Sequence, residues 1–171
     1  CSQSRGLGDV YKRQRLDGFN QFSPKRIILD RNLQIDLKSY IAKSIKNKNT
    51  IIFHNSNDKS KIKLLKKRGT TLIKQSTDKY KNLDLKKILK DLYKMEIRNL
   101  LVEGGDILTK NFIQKKLFNE FYVFRSSKNL SKNKKHVNFT SFSILNTKYN
   151  KHKINSKLAT DKLTIYKNWN V

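Results

Sequence analysis

The stretch Asn99–Thr109 contains the residues of this sequence that are best suited to chemistry. It begins with a short apolar run, Leu100–Val102, of the kind that forms a buried strand. Glu103 follows directly, and a carboxylate at the carboxyl end of a buried parallel strand points into the crevice where open α/β sheets bind ligands. Gly104 and Gly105 then allow the backbone to turn sharply and to approach a ligand closely. We therefore predict that Glu103 accepts hydrogen bonds from a polar substrate.

A helix is predicted after the two glycines, with Asp106 as its N-cap. Free N–H groups at the start of a helix, together with the positive end of its dipole, suit an anion such as a cofactor pyrophosphate. Turns that join a strand to a helix through two glycines are also common where no ligand binds, so this pattern leaves both interpretations open. The apolar residues of the predicted helix recur at three- and four-residue spacing and are Ile107, Leu108, Phe112, Ile113 and Leu117.

The composition predicts one globular domain built around one core. The chain has 171 residues, of which 36% are hydrophobic and 10% aromatic. It holds no apolar run of the roughly 18 residues that cross a bilayer, so we expect no membrane partner. Cys1 is the single cysteine, which excludes an internal disulfide and a multi-cysteine zinc site and fits a cytoplasmic location. We expect no metal site, and we interpret His54, His136 and His152 as surface or packing residues.

The formal net charge of +26 would ordinarily indicate a nucleic-acid partner, since basic surfaces gain affinity by releasing counterions from phosphates. Here the excess is nearly all lysine, because eight of the 39 basic residues are arginines, and the lysines are spread along the chain. A low-GC genome drifts toward this composition on tolerant surfaces, whereas nucleic-acid binders concentrate arginine. We therefore expect no nucleic-acid partner, and we expect the positive field to steer phosphorylated ligands toward the site.

Residues 1–14 differ in origin from the rest of the chain. Asp9–Gln14 resembles the translation of a transposon-end adapter used in sequencing libraries, so we exclude the whole segment from fold reasoning. Residues 15–171 are interpreted as one domain, the downstream part of a longer reading frame. No internal repeat or domain linker is evident in them.

Apolar runs and helical periodicities alternate along residues 15–171. A short helix is predicted around Ile62–Leu65 with Gly69 as its C-terminal cap, and a second helix is predicted from Asp84, as N-cap, to Leu92. This alternation predicts an α/β fold with a mainly parallel central sheet flanked by helices. The predicted strands are Arg26–Asp30, Ile51–His54, Thr70–Ile73, Leu100–Val102, Phe121–Phe124, Phe142–Leu145 and Leu163–Tyr166.

Four motifs occur in an order and spacing that resemble one known family. They are Pro24–Leu33, Leu83–Leu85, Arg98–Gly105 and Leu117–Phe121. Together they resemble the C-terminal reductase domain of the bifunctional riboflavin-biosynthesis deaminase–reductase, over essentially all of residues 15–171. The resemblance implies a dihydrofolate-reductase-like fold whose first strand is missing from this segment. It also implies an NADPH-dependent oxidoreductase that reduces the ribosyl group of 5-amino-6-(5-phosphoribosylamino)uracil to a ribityl group.

The resemblance also implies roles for individual residues. Glu103 and Arg15 would bind the substrate, with Arg15 holding its phosphate. No catalytic acid is assigned, because such a site works mainly by orienting hydride donor and acceptor. The residues that the resemblance implies for NADPH are Arg31, Gly105, Asp106, Ile107, Leu108, Thr109, Lys110 and Asn111.

Some residues depart from the family's pattern. Glu96 stands where the family has a glycine at the end of a helix, and a left-handed residue there costs about 1 kcal/mol more than glycine. Asp106 would place negative charge near a pyrophosphate, so we expect its side chain to point away from the ligand. The loop Ser126–Asn133 lacks the family's usual glycine.

The resemblance implies partners as well. They are a phosphorylated pyrimidine substrate and a zinc deaminase domain upstream in the full-length protein, while homo-oligomerisation is left open. Because the first strand and the segments around it are absent, we expect residues 15–171 alone to be inactive. Two alternatives stay open: another dihydrofolate or pteridine reductase of the same fold, and a basic nucleic-acid-binding module.

Overall fold

The computed structural model describes residues 24–45, 48–126, 141–154 and 161–168. The chain divides into two compact units, Cys1–Ile88 and Leu89–Val171. Arg15, His136 and the excluded segment 1–14 lie outside the described residues, so what the sequence predicts for them stays a prediction. Within the described ranges, no helix is long and apolar enough to cross a membrane.

A parallel sheet organises the first unit. Its described strands are β1 (Arg26–Leu29), β2 (Thr50–His54) and β3 (Thr71–Lys74), in the order β1-β2-β3. β2 is the middle strand, and all five of its residues are buried. An unbroken apolar run is typical of a parallel strand that is covered on both faces. The three strands predicted for this part of the chain are therefore confirmed.

The core of the first unit lies on the face of the sheet that contains Ile52. Ile52 pairs in register with Ile28 of β1 and Leu72 of β3, and all three side chains belong to one hydrophobic cluster. The other fully or nearly fully buried members of that cluster are Leu33, Ile45 and Leu65.

Helices α1 (Tyr40–Lys43) and α2 (Lys59–Lys67) lie between the strands in the chain. α2 begins after Asp58, whose carboxylate accepts a hydrogen bond from the Lys61 N–H at 2.9 Å. Gly69 follows the end of the helix with a φ of 89°, in the left-handed region that favours glycine. The predicted helix and its glycine cap are confirmed.

Helix α3 (Leu85–Lys94) runs from the first unit into the second. Its cap is the predicted one, because the Asp84 carboxylate accepts a hydrogen bond from the Lys86 N–H at 3.1 Å. The amphipathic pattern is also present. Its most deeply buried side chains are Leu85, Ile88 and Leu92.

An antiparallel sheet organises the second unit. Its described strands are β4 (Glu120–Arg125), β5 (Asn150–Ile154) and β6 (Lys162–Lys167), and they lie in the order β4-β6-β5. Helix α4 (Asp106–Gln114) precedes the sheet in the chain, and helix α5 (Phe142–Lys148) lies between β4 and β5. The two helices contribute Ile113 and Leu145 to a core that also contains Val123 and Tyr166.

The α/β class, with a parallel sheet flanked by helices, is confirmed. The strands predicted at Phe121–Phe124 and Leu163–Tyr166 are also confirmed, as parts of β4 and β6. β5 was not predicted, because its sequence of Asn, Lys, His, Lys and Ile carries no apolar alternation.

The strand predicted at Phe142–Leu145 is wrong, because these residues belong to helix α5. Leu145 is fully buried, and Phe142 and Tyr149 pack against the same cluster. Their spacing of three and four residues is that of a helix. Four residues were too short a window to distinguish this period from the period of a strand.

The buried strand predicted at Leu100–Val102 is also wrong. Among the described strands none pairs with this segment, which has no regular secondary structure. Leu101 is 85% exposed, and Leu100 and Val102 are 38% and 40% exposed. An apolar run becomes a buried strand only where neighbouring strands satisfy its backbone groups, and the sequence of the run does not specify those neighbours.

Helix α3 ends in a residue with left-handed backbone that is not glycine. Glu96 has a φ of 63°, and its N–H donates to the Tyr93 carbonyl at 3.0 Å. The Ile97 N–H donates to the Leu92 carbonyl at 3.1 Å. This pair of hydrogen bonds is the Schellman motif, in which glycine is preferred at the position that Glu96 holds. The departure from the family's glycine therefore carries the left-handed strain that the sequence predicted.

We predict that Glu96→Gly stabilises the protein by about 0.5 to 1 kcal/mol, because glycine has no Cβ to clash in the left-handed region. Thermal and urea unfolding measure the change. The matched control is Glu96→Ala, which removes the carboxylate and keeps the Cβ. If Glu96→Ala gave the same gain as Glu96→Gly, the carboxylate and not the backbone would be the cause, and the prediction would fail.

Candidate functional site

The segment that joins Glu103 to helix α4 lies entirely in the second unit. Glu103 is exposed and precedes the two glycines in an irregular stretch, not at the end of a strand as predicted. Gly105 is the N-cap of α4, with φ −78° and ψ 177°, and it contributes no side-chain capping bond. The helix predicted to begin at Asp106 is confirmed, but its N-cap is Gly105 and not Asp106, which is the first residue of the helix itself. Asp and Gly both occur at helix starts, so the sequence did not separate the two assignments.

The two glycines of this junction have different surroundings. A Cβ on Gly104 would lie 2.7 Å from Cδ2 and 3.2 Å from Cβ of Leu108, one turn into the helix. A Cβ on Gly105 would meet nothing within 4 Å. Gly104 therefore allows the backbone to pack closely on α4, whereas Gly105 leaves open space beside the first turn of the helix.

The start of α4 has the geometry of an anion site. The first N–H groups of any helix have no acceptor within the helix, and here the N-cap has no side chain to serve them. The first bond within the helix joins the Thr109 N–H to the Gly105 carbonyl at 3.1 Å. Lys110 is exposed one turn further on, and Ile107 is 74% exposed. The Asn111 amide donates to the Ile107 carbonyl at 2.9 Å, which fixes it along the helix.

Asp106 is the one residue of this start that disfavours an anion. A carboxylate in the first turn interacts favourably with the helix dipole, and it therefore competes with an anionic ligand for the same positive end. The backbone N–H groups and Lys110 act in the opposite sense. The arrangement therefore favours an anion that binds through the backbone at Gly105. It is less suited to an anion that needs only positive charges around it.

The carboxyl ends of the parallel strands form a second polar region, in the first unit. The Asp30 carboxylate accepts hydrogen bonds from the N–H groups of Gln34 at 2.8 Å and Ile35 at 2.7 Å. These bonds close a loop in which Leu33 has a φ of 53° and is almost fully buried. Asp30 therefore has a structural role here.

Arg31 extends from the same strand end and is exposed. Its guanidinium donates to the Lys81 carbonyl, and its Nε donates to the Asn32 side-chain oxygen at 3.2 Å. Arg31 belongs to the first unit, whereas Glu103 and the residues from Gly105 to Asn111 belong to the second. The predicted contact of Arg31 with a cofactor stays a prediction.

His54 is a residue of this edge whose importance the sequence did not indicate. The sequence leaves open whether it is a surface or a packing residue, and the structure confirms packing, because His54 lies at the carboxyl end of β2 with 3% of its surface exposed. Its Nδ1 has no hydrogen-bond partner within the described residues. Burial lowers the pKa of His54 below the ordinary 6.5, and the positive charges of Lys74 and Lys66 act in the same direction. A hydrogen bond with the Ser56 backbone and the charge of Asp30 oppose this shift.

Among the residues that the structure describes, no group of three or more His, Cys, Asp or Glu side chains is placed to hold an ion. His152, the other histidine that the structure describes, is exposed on β5.

The sequence is similar to proteins of riboflavin biosynthesis. A family model described as the RibD C-terminal domain matches residues 7–157. The chain is 31% identical over 105 residues to the riboflavin biosynthesis protein RibD of Aquifex aeolicus (strain VF5), and 28% identical over 109 residues to that of Actinobacillus pleuropneumoniae. These stretches cover 61% and 64% of this chain but 28% and 29% of the two relatives. The chain therefore spans less than a third of their length.

Solved structures show the same fold. Two forms of Acinetobacter baumannii RibD superpose on 84% and 90% of this chain with TM-scores of 0.60 and 0.63, at 18% sequence identity. The matched parts are 37% and 41% of those chains. The dihydrofolate-reductase-like fold predicted from the sequence motifs is therefore confirmed.

We predict that His54 makes the stability of the chain depend on pH. Since its pKa is lower in the folded state than in the unfolded state, the unfolded state binds the proton more readily, and the free energy of unfolding falls as the pH drops below 6.5. Above 6.5 this contribution is fully present. Urea unfolding at pH 7.5, 6.5 and 5.5 measures the effect, and His54→Gln should flatten the pH dependence. His152→Gln, which changes an exposed histidine, should leave it unchanged; equal flattening by both variants would contradict the prediction.

Proposed function

Because this chain belongs to the RibD C-terminal domain family, we propose that its site is the reductase site of riboflavin biosynthesis. The reaction is the NADPH-dependent reduction of the ribosyl group of 5-amino-6-(5-phosphoribosylamino)uracil to a ribityl group. The observation that carries the proposal is the family match over residues 7–157, which includes Glu103, the two glycines and α4.

The start of α4 fits the phosphates of NADPH. The open space beside Gly105 allows a ligand to approach the backbone, and the first-turn N–H groups and the helix dipole favour negative charge. The residues of the second unit that are proposed to hold the cofactor are those from Gly105 to Asn111. Asp106 weakens this fit, because its carboxylate is in the same first turn.

Glu103 and Arg15 are the residues proposed to bind the substrate. Glu103 is exposed, so its carboxylate is accessible to the hydroxyl and amino groups of a pyrimidine nucleotide. Arg15 is proposed to hold the phosphate, as a guanidinium forms bidentate hydrogen bonds to phosphate oxygens. The large positive charge of the chain would concentrate both phosphorylated ligands near its surface.

Positioning is the main contribution proposed for the chain's own residues. When bound, NADPH would supply the hydride for the ribosyl carbon C1′. When one site holds both reactants in the right orientation, their translational and rotational entropy is lost on binding and not in the reaction step. This can lower the barrier by about 7 to 11 kcal/mol. Glu103 would fix the pyrimidine, and the backbone of α4 would fix the cofactor.

The full-length protein is proposed to carry a zinc deaminase domain upstream of this domain and to act in the cytoplasm. The relatives named RibD are more than three times as long as the stretch they share with this chain, which is consistent with a further domain. This domain would supply the deaminated pyrimidine that the reductase consumes.

We predict that Gly105→Ala weakens NADPH binding at least tenfold and costs about 0.5 to 1 kcal/mol of stability, because alanine is a poorer N-cap than glycine. The new methyl group would enter open space in the protein but occupy the space of the ligand, and the φ of Gly105 suits any residue. Titration of the chain with NADPH, followed by nucleotide fluorescence, measures the affinity. Gly104→Ala is the matched control, since it should cost about 1 kcal/mol of stability by displacing Leu108. If Gly105→Ala bound NADPH as tightly as the unchanged chain, this cofactor site would be wrong.

We predict that Glu103→Gln lowers kcat/KM for the deaminated pyrimidine by about 10- to 100-fold, as expected when a charge-assisted hydrogen bond worth about 1.5 to 3 kcal/mol is lost. The assay follows NADPH oxidation by the full-length parent protein, in which the upstream residues are present. Glu96→Gln removes an exposed carboxylate at the end of α3 and should keep full activity.

The same assay separates the alternative functions. Turnover of dihydrofolate with none of the pyrimidine would favour a pteridine reductase. Absence of NADPH oxidation with either substrate, together with tight binding of labelled RNA above physiological salt, would favour a nucleic-acid-binding module.

A further inference from the structure

A cleft of about 390 Å³ lies in the first unit, between helix α1 and the end of helix α2. Cavities of roughly 300 to 1,000 Å³ have the size that holds a small organic ligand. Of the six described residues that line the cleft, three are apolar, three are cationic and none is acidic. They are Leu37, Lys38, Ala42, Lys43, Ile45 and Arg68, and we call this site the α1 cleft.

The apolar residues are the buried part of the lining. Ala42 is 1% exposed and Ile45 is 6% exposed. Leu37 is half-buried and packs against the core cluster that contains Ile45. An apolar surface gains free energy when an organic group covers it and removes it from water. This part of the α1 cleft therefore suits the carbon skeleton of a ligand better than a hydrated inorganic ion.

Arg68 joins the two sides of the α1 cleft. It is the C-cap of α2, and its Nη1 donates a hydrogen bond to the Leu37 carbonyl at 2.9 Å. A guanidinium has five N–H donors, and this bond uses one of them. The bond also holds the planar group in one orientation, which lowers the entropy cost of a forked pair of hydrogen bonds to an oxyanion.

Lys38 and Lys43 flank helix α1 and are exposed. The acid closest to them in the sequence is Asp36, whose carboxylate accepts a hydrogen bond from the Lys38 N–H at 2.8 Å and does not line the cleft. Cations such as Lys43 and Arg68 are favoured at the end of a helix even without a ligand. That preference does not explain Lys38, nor the apolar cavity beside the three charges.

The α1 cleft lies toward the amino edge of the parallel sheet. Arg26 begins β1, and its guanidinium donates to the Ser44 hydroxyl at 2.7 Å and to the Ser44 carbonyl at 2.8 Å, directly after α1. Arg68 likewise comes shortly before β3. Asp30 and Arg31 instead follow the carboxyl end of β1. The α1 cleft is therefore separate from the polar region at the carboxyl ends of the strands.

We propose that the α1 cleft binds a small phosphorylated metabolite. Its phosphate lies among Lys38, Lys43 and Arg68, and its organic part covers the apolar residues. A phosphomonoester carries a charge of about −1.5 to −2 at neutral pH and has three terminal oxygens, so it matches three cations better than a carboxylate does. A ligand that binds only the folded chain also raises its stability by mass action, so occupancy of the cleft would stabilise the first unit.

Phenyl phosphate is the probe for this site, because it joins a phosphomonoester to a small apolar ring. Calorimetric titration of the 171-residue chain at physiological salt measures its affinity, and amide chemical shifts locate it. We expect shifts at Leu37–Ile45 and at Arg68, and a weaker affinity for inorganic phosphate and for phenol. Arg68→Gln should weaken phenyl phosphate binding at least tenfold, because a charged hydrogen-bond partner is lost.

Lys43→Gln is a second variant for the same site, since an exposed lysine can be changed without disturbing the core; it should weaken binding about threefold. Lys63→Gln is the matched control. It removes the same charge from an exposed position of α2 outside the cleft and should change the affinity less than twofold. Gly105→Ala should also leave the affinity unchanged, because it alters only the start of α4.

Four results would overturn the proposal. They are no binding of phenyl phosphate at millimolar concentration, equal affinity for inorganic phosphate, equal weakening by Lys43→Gln and Lys63→Gln, and loss of binding in Gly105→Ala. The third result would show a nonspecific polycation, and the fourth would place the anion at α4. Thermal unfolding of each variant establishes that a loss of affinity occurs in a folded protein.

Discussion

The complete burial of β2 is the constraint on which the first unit depends. A strand with no exposed residue must have hydrogen-bond partners along both edges, because an unpaired backbone group away from water costs about 1 to 3 kcal/mol. β1 and β3 supply those partners in parallel register. Parallel strands end at the same edge, and this is why Asp30, His54 and Gln75 follow one another there: the Asp30 N–H donates to the Phe53 carbonyl of β2, and the Gln75 N–H donates to the His54 carbonyl of β2.

The candidate site of the second unit depends on a different element, the start of helix α4. Glu103 and the two glycines could be identified from the sequence because two consecutive glycines before a helical pattern indicate a sharp turn of the backbone. The cap could not be assigned, since Gly105 and Asp106 are both acceptable N-caps and only the backbone geometry distinguishes them. The burial of His54 could not be predicted for a related reason. A polar residue at the end of an apolar run can be either buried or exposed.

The fold was predicted best where several residues repeat one period and worst where a segment is short. β2 was predicted from the apolar run Ile51–His54, and α3 from four apolar residues at helical spacing that follow a good N-cap, namely Leu85, Ile88, Leu89 and Leu92. Leu100–Val102 has the composition of a strand, but pairing is a property of its neighbours. In Phe142–Leu145 the helical period becomes visible only when Tyr149 is included.

Lysine occurs in this chain at positions that tolerate a long charged side chain. An exposed helix position such as Lys86 accepts lysine because the charged end of the side chain can stay in water. The left-handed position of a Schellman motif is less tolerant of a side chain, because a Cβ there costs about 1 kcal/mol. Glu96 and Lys116 both occupy such a position, and two backbone hydrogen bonds in each motif offset the cost. Gly104 has no such compensation, because any Cβ would displace Leu108 from the helix that begins beside it.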